Sequence, residues 1–224
     1  MKDKKLLSDI KEYLKCYENQ VLEDWYELIR HISVSETGEG IETCCDWIQK
    51  KMEEIGIQVT KYSVKPAPVL VGRFGNDPEK KTVLIYAHYD VKPAGERKLW
   101  HSDPFVPTVR DGKVYARGSA DNKSPLMAHL KALEYFIRRK MEVPVNVIFV
   151  FEGDEECGSR GLEEFLAEHR TELAADLVFF SDGPKDPSGL PIIALGAKGD
   201  LSIHITVETM NRNVHARYAP VLPS

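Results

Sequence analysis

The sequence predicts an α/β fold in which a mostly parallel sheet is covered by helices on both faces, a three-layer αβα arrangement. Three observations carry this. Short apolar runs at 82–87, 145–151 and 177–181 alternate with segments of helical periodicity, the pattern of parallel strands joined by crossover helices. The first two runs are nearly continuous in apolar residues, as strands covered on both faces are. At 224 residues the chain is also long enough for one sizeable α/β domain, or for a domain plus part of a second.

Taken in order, Leu6, Ile10, Tyr13, Leu14, Tyr17, Val21, Trp25, Leu28 and Ile32 recur at helical spacing and predict one or two amphipathic helices. Ile41, Cys45, Ile48, Met52 and Ile55 share a face of a second helix over 39–55, and Gly56 stands where a C-terminal cap belongs. Strands follow at 57–64, 69–74 and 82–87. Residues 90–118, rich in Pro, Gly and aromatics, form too long a connection to be structural filler and read as a functional loop. A helix starts near Lys123 and carries Leu126, Leu130, Leu133, Phe136 and Ile137. Next come a strand at 145–151, a charged turn, a helix at 161–169 and a strand at 177–181. Beyond them, 191–194 and 201–208 have another texture: Leu201, Ile203, Ile205 and Val207 alternate, as in a strand solvated on one side. The expected division is therefore a main domain over 1–197 and the beginning of a smaller α+β domain over 198–224.

Composition excludes some partners. With 30 basic against 35 acidic residues the formal charge is −5, which provides no electrostatic attraction for nucleic acid or an anionic membrane. The four cysteines, Cys16, Cys44, Cys45 and Cys157, lack the spacing of a disulfide framework or a CxxC motif. The charged N-terminus lacks the apolar core of a signal peptide, and no stretch reaches transmembrane length. The expected compartment is the cytoplasm.

In α/β sheets ligands gather beyond the carboxyl ends of the strands, and there the sequence concentrates groups able to hold a cation. His88-Tyr89-Asp90 ends the run TVLIYA, so that Asp90 can accept a hydrogen bond from one ring nitrogen of His88 and leave the other for a metal. Alone, this tripeptide reads equally as a structural histidine in a turn. Asp121 precedes a helix, where a carboxylate either bridges two cations or merely caps. The segment Glu152-Gly153-Asp154-Glu155-Glu156 packs four carboxylates into five residues at the end of VNVIFVF. A cation relieves their repulsion, and a carboxylate left off the metal can take a proton from water. Asp182 ends the following strand. Four successive strand or loop ends thus each supply a ligand, and the ensemble predicts a metal site; mixed His and carboxylate donors suit Zn²⁺ and admit Mn²⁺ or Co²⁺. His31, His129, His169 and His204 read as packed or incidental, His101 lies in the long loop, and Cys157 reads as a small turn residue.

The stretches YAHYDVKPAGE, LWHSDPFVPTVRDGKVYARGSADNK, FEGDEECGSRGLEEFL and LVFFSDGP, in that order, resemble the M20 metallopeptidases, which include dipeptidases, carboxypeptidases and N-acyl amino acid deacylases. The resemblance runs from about Glu39 onward, and the long middle block is most similar to the carnosinase-like dipeptidase branch. It implies a zinc-exopeptidase-like catalytic domain with a small inserted lid that forms a homodimer in a full-length form. It implies two divalent metal ions: His88 and Asp182 hold one, Glu156 holds the other and Asp121 bridges them. Asp90 then orients His88, and Glu155 is the general base for a water that attacks the scissile carbonyl. His215, in Asn213-Val214-His215, matches a lid histidine that polarises that carbonyl. Ser124 replaces a commoner glycine, and Ala216-Arg217 replace a Ser-Gly pair. Family members continue for roughly as many residues again, with a further metal-ligand histidine, so this stretch is expected to hydrolyse weakly by itself. The implied activity is cleavage of dipeptide or C-terminal amide bonds. A deacylase acting on N-acyl amino acids and a truncated, non-catalytic metal-binding fragment are the alternatives.

Overall fold

In the computed structural model the apolar spacing of the N-terminus produces a single helix, α1 (Lys2–Arg30), where one or two were expected. The structure describes residues 2–183 and, beyond them, 186, 188–190, 192–194, 196, 199, 201 and 203–206. The chain separates into two units, Met1–Gly183 and Pro184–Ser224, and among the described residues every helix and strand belongs to the first. Helix α2 (Ile41–Glu54) buries Ile41, Cys44, Cys45, Ile48 and Met52. It ends as Gly56 predicts: with φ at 87°, this residue lets Gly56 N–H reach the Glu53 carbonyl and Ile57 N–H reach that of Met52, the paired bonds of a Schellman cap.

Strands β1 (Gln58–Tyr62), β2 (Val69–Phe74) and β3 (Thr82–His88) follow in the expected places. Inside the long loop there is a feature the sequence pattern did not lead us to expect, a hairpin of β4 (Thr108–Arg110) and β5 (Lys113–Tyr115). Its two-residue turn is Asp111-Gly112, with φ of 49° and 70°, the left-handed pair that a type I′ turn requires. Helix α3 (Lys123–Arg138), strand β6 (Asn146–Glu152), helix α4 (Leu162–Glu168) and strand β7 (Leu177–Phe180) complete the unit.

The main sheet has the order β1-β2-β6-β3-β7 and is mixed. β6–β3 and β3–β7 are parallel, whereas β1–β2 and β2–β6 are antiparallel. The antiparallel half arises because β1 turns directly back into β2, with no helix between them to carry the chain across. Along the fully buried β6, Val147, Phe149 and Phe151 pack with α1, α2 and α3. Ile148 and Val150 point the other way, toward Phe165 of α4 and Leu173. These two apolar layers make the expected αβα sandwich. β7 differs from expectation, since all four of its side chains are exposed; among the described residues it is an edge strand paired with β3 alone.

Polar ties lock the helices together. Asp24 on α1 is buried between Lys51 of α2 at 3.1 Å and Lys131 of α3. Burial works against its charge, but the hydrogen bonds from these two lysines prevail and lower its pKa. Lys123, 1% exposed, donates to the carbonyls of Leu28 at 3.1 Å and His31 at 2.5 Å, so a buried lysine amine, its pKa lowered by burial, satisfies the carboxyl end of α1.

Among the described residues, 192–194, 201 and 203–206 adopt no strand; most of the expected second domain over 198–224, Val207 and His215 included, lies outside the described residues.

Two consequences are measurable. A Cβ added at Gly153 would meet the ring of the fully buried Tyr89 at 2.5 Å, and that ring is held by its hydroxyl on the Pro68 carbonyl. Gly153→Ala is expected to destabilise by about 1–3 kcal/mol in denaturant titration, as overpacking does; an unchanged midpoint would contradict this packing. Glu172 accepts hydrogen bonds from His169, Tyr62 and Arg73, which outweigh its desolvation and lower its carboxyl to about 2. Its folded pKa lies below the ordinary value of about 4.3. The stabilisation is thus present above that value and lost as pH falls toward 2. Glu172→Gln should lower stability at pH 7 by the small amount typical of a part-exposed pair, below about 1 kcal/mol, and Tm with it. The gap from the native protein should shrink between pH 5 and the acid limit, and a gap independent of pH would refute the assignment.

Candidate metal centre

Parallel pairing decides where the functional groups meet. His88 stands opposite Glu152 in the β3–β6 ladder, and Tyr86 opposite Phe180 in the β3–β7 ladder. The three carboxyl ends therefore deliver His88, the turn after β6 and Asp182 to one edge, and the segment entering α3 brings Asp121 there.

His88 Nε2 lies 3.1 Å from Asp121 Oδ1, 3.2 Å from Asp182 Oδ2 and 3.7 Å from Glu155 Oε2. One donor atom each from His88, Asp121 and Asp182 falls within 4.8 Å of the others. Two donors bound tetrahedrally to one Zn²⁺ stand about 3.4 Å apart, so one nitrogen and two carboxylates at this spacing fit a divalent ion.

The second ring nitrogen points the other way. His88 Nδ1 is 3.2 Å from Asp90 Oδ1 and 3.1 Å from the Asp90 carbonyl, which leaves Nε2 aimed at the cluster, as the sequence predicts. Asp90 is wholly buried, and its two oxygens also accept the backbone N–H groups of Glu155 at 3.2 Å and Glu156 at 3.1 Å. Burial alone would raise its pKa; hydrogen bonds from His88, Ser35 and Glu156 N–H keep it low. At His88 burial likewise opposes charge, but Asp90, Glu155 and Asp182 outweigh it and raise the imidazole to about 9. The pocket thus favours positive charge in spite of its dryness. Glu155 has its pKa raised, first by burial and then by Asp182, Glu156 and Asp90, which makes it a better proton acceptor.

Glu156 does not join the cluster. It follows Glu155 in a 3-10 turn (Glu155–Cys157), and its carboxylate pairs with Lys92 at 3.3 Å, while Lys92 also reaches the Glu156 carbonyl. The structure thus brings together His88, Asp90, Asp121, Asp182 and Glu155, and holds Glu156 to one side. His215 lies outside the described residues, and His101 is exposed in the loop. Sequence reasoning missed Ser35, Lys92 and Asn122. It took His129 for a packed residue, yet His129 Nε2 lies 2.9 Å from Ser181 Oγ, beside Asp182, and burial lowers its pKa.

The fold and the motif-bearing stretch of sequence have counterparts among known proteins. Peptidase family M20/M25/M40 matches residues 84–222, more than half of the chain. A Cys-Gly metallodipeptidase of Schizosaccharomyces pombe is 40% identical over 172 residues, covering 74% of this chain and 36% of the yeast protein. Among solved structures, human carnosine dipeptidase 1 superposes with a TM-score of 0.73 at 29% identity, over 80% of this chain and 41% of that one. An M20 family metallo-carboxypeptidase from Sulfolobus solfataricus gives 0.72 at 36% identity, over 75% and 38%. The chain therefore spans about a third of the length of the first of these relatives. Motif order, cluster geometry and fold agree with the family match: the chain belongs to peptidase family M20/M25/M40.

Proposed function

We propose that the protein takes part in metal-dependent hydrolysis of dipeptides, with two divalent ions, zinc before manganese or cobalt, held at the carboxyl edge of the sheet. The observation that carries this is the convergence of His88 Nε2, Asp121 Oδ1 and Asp182 Oδ2 next to Glu155. One imidazole with several carboxylates is a donor set for zinc or manganese rather than for a soft metal. Similarity to a protein named as a Cys-Gly metallodipeptidase supports a dipeptide over other amides.

A divalent ion at this place polarises a carbonyl and acidifies water. The side chains divide the remaining work. His88 and Asp182 would hold one ion, and Asp121, whose side chain is exposed, would offer its carboxylate to the second as well. Glu156, paired with Lys92 in this structure, would hold that second ion once released from the lysine. Asp90 keeps the His88 ring turned so that Nε2 faces the ion. Glu155 accepts the proton of the attacking water and returns it to the departing amine, a role suited to a raised carboxyl pKa. A role for His215 in polarising the substrate carbonyl, a lid beginning near residue 198 and pairing into a homodimer belong to the same reading and rest on the sequence pattern. Four free thiols, Cys44 and Cys45 among them fully buried, support a reducing, cytoplasmic setting.

Equilibrium dialysis against Zn²⁺ or Mn²⁺ should find two bound equivalents, and Asp121→Ala should lose them. Glu155→Gln should keep the metal yet slow hydrolysis of Cys-Gly or β-Ala-His by about 10²–10⁴-fold, the usual contribution of a general base. Absence of bound metal would overturn the site. Preference for N-acetyl amino acids over dipeptides would move the substrate to the deacylase class, and metal binding without turnover of either would leave a non-catalytic metal-binding piece.

A further inference from the structure

The β3–β7 ladder ends at Tyr86 opposite Phe180, two residues short of Asp182. Sheet pairing therefore does not fix this carboxylate, whose chain neighbour Ser181 leaves the strand beside it. What holds Ser181 is α3. His129 Nε2 lies 2.9 Å from Ser181 Oγ, and Asn122 Nδ2 donates to the Ser181 carbonyl at 2.9 Å. The His129 ring also rests edge-on against Phe179, with centroids 5.4 Å apart. Asn122 in turn follows Asp121 directly and is 1% exposed, so its amide has little freedom. The residue after one carboxylate and the residue before the other are thus joined by a hydrogen bond, and His129, further along the same helix, clamps the hydroxyl of the second.

We propose that His129 is a positioning residue that, through Ser181 and together with Asn122, sets the distance between the Asp121 and Asp182 carboxylates and so the affinity of the site for its cation. The proposal rests on the reading of those two aspartates as metal ligands. His129 is not among the cluster's donors, and its ring nitrogen is already engaged by Ser181. Its effect is one of geometry: donors about 3.4 Å apart suit one ion, and a drift of Asp182 lengthens that spacing. Outer partners of metal ligands typically contribute 10–100-fold in affinity.

The test measures Zn²⁺ affinity by competition with a chromophoric chelator, alongside Tm of the metal-free protein. His129→Ala and Ser181→Ala should each weaken binding by about 10–100-fold. His129→Gln, whose amide can still reach the Ser181 hydroxyl, should recover most of the loss. The double variant should bind no more weakly than the worse single variant, because both remove one contact. Unchanged affinity in both single variants, or additive losses without rescue by glutamine, would overturn the proposal and leave His129 a packing residue. If His129→Ala fails to fold, Ser181→Ala, which removes one oxygen, decides by the same criterion. A native protein that binds no Zn²⁺ would refute the metal-site reading as well, whereas a native protein that binds and variants that bind equally would refute only the clamp.

Discussion

The buried carboxylate of Asp90 is the constraint on which the site depends. A charge removed from water costs several kcal/mol unless partners satisfy it, and Asp90 is fully enclosed. Its partners come from separate elements: the His88 ring at the end of β3 and the N–H groups of Glu155 and Glu156 in the turn after β6. One carboxylate thus ties two parallel strand ends together and sets the direction of the imidazole. Because satisfying that charge requires all these donors, the turn that presents Glu155 cannot move independently of the ring that presents Nε2. The parallel β3–β6 ladder, with His88 opposite Glu152, makes this possible by bringing both ends to the same height.

Electrostatics at the cluster follows from the same arrangement. Asp90, Asp121, Glu155 and Asp182 surround one imidazole, whose pKa is raised to about 9 against the cost of burial. Like charges at this density destabilise the fold until a cation lies among them. Glu155 and Glu156, adjacent in sequence, are separated by the tight turn between them. In a 3-10 turn consecutive side chains diverge by about 120°, which lets Glu155 face His88 while Glu156 faces Lys92.

Much of this was legible in the sequence because it is local. Helical periodicity located α1 to α4, Gly56 marked the end of α2 through its left-handed φ, and apolar runs located β3 and β6. That His88, Asp121, Glu155 and Asp182 share an edge followed from the rule that parallel strands end together. The Asp111-Gly112 turn was legible too, as a strong hairpin signal, but the surrounding Pro and Gly led the segment to be read as loop. Strand order was not legible: β2 lies beside β6 rather than β3, a choice made by packing across 70 residues or more. Spacing alone does not separate Glu155 from Glu156, because it does not say which way a side chain turns; only the resemblance gives them different roles.

His129 shows the limit most clearly. Its spacing places it near the apolar face of α3, and the structure leaves it half-buried there. What spacing cannot contain is that β7 crosses this face at Phe179 and leaves it at Ser181. The structure therefore divides the site by burial. Asp90, Asn122 and Lys123, each 0–1% exposed, are fixed by the core, whereas the Asp121 side chain is 63% exposed and that of Asp182 25%. The groups best placed to meet a ligand are free to be solvated, and each is one residue away from a group that the protein interior or a helix holds in place. Such an arrangement separates two demands that conflict in a single side chain: a ligand must be open enough to exchange water for a cation, and it must be rigid enough to keep its donor atom within a few tenths of an ångström. Neighbours in sequence satisfy both: Asn122 is buried beside the exposed Asp121, and Ser181 is held by His129 beside Asp182.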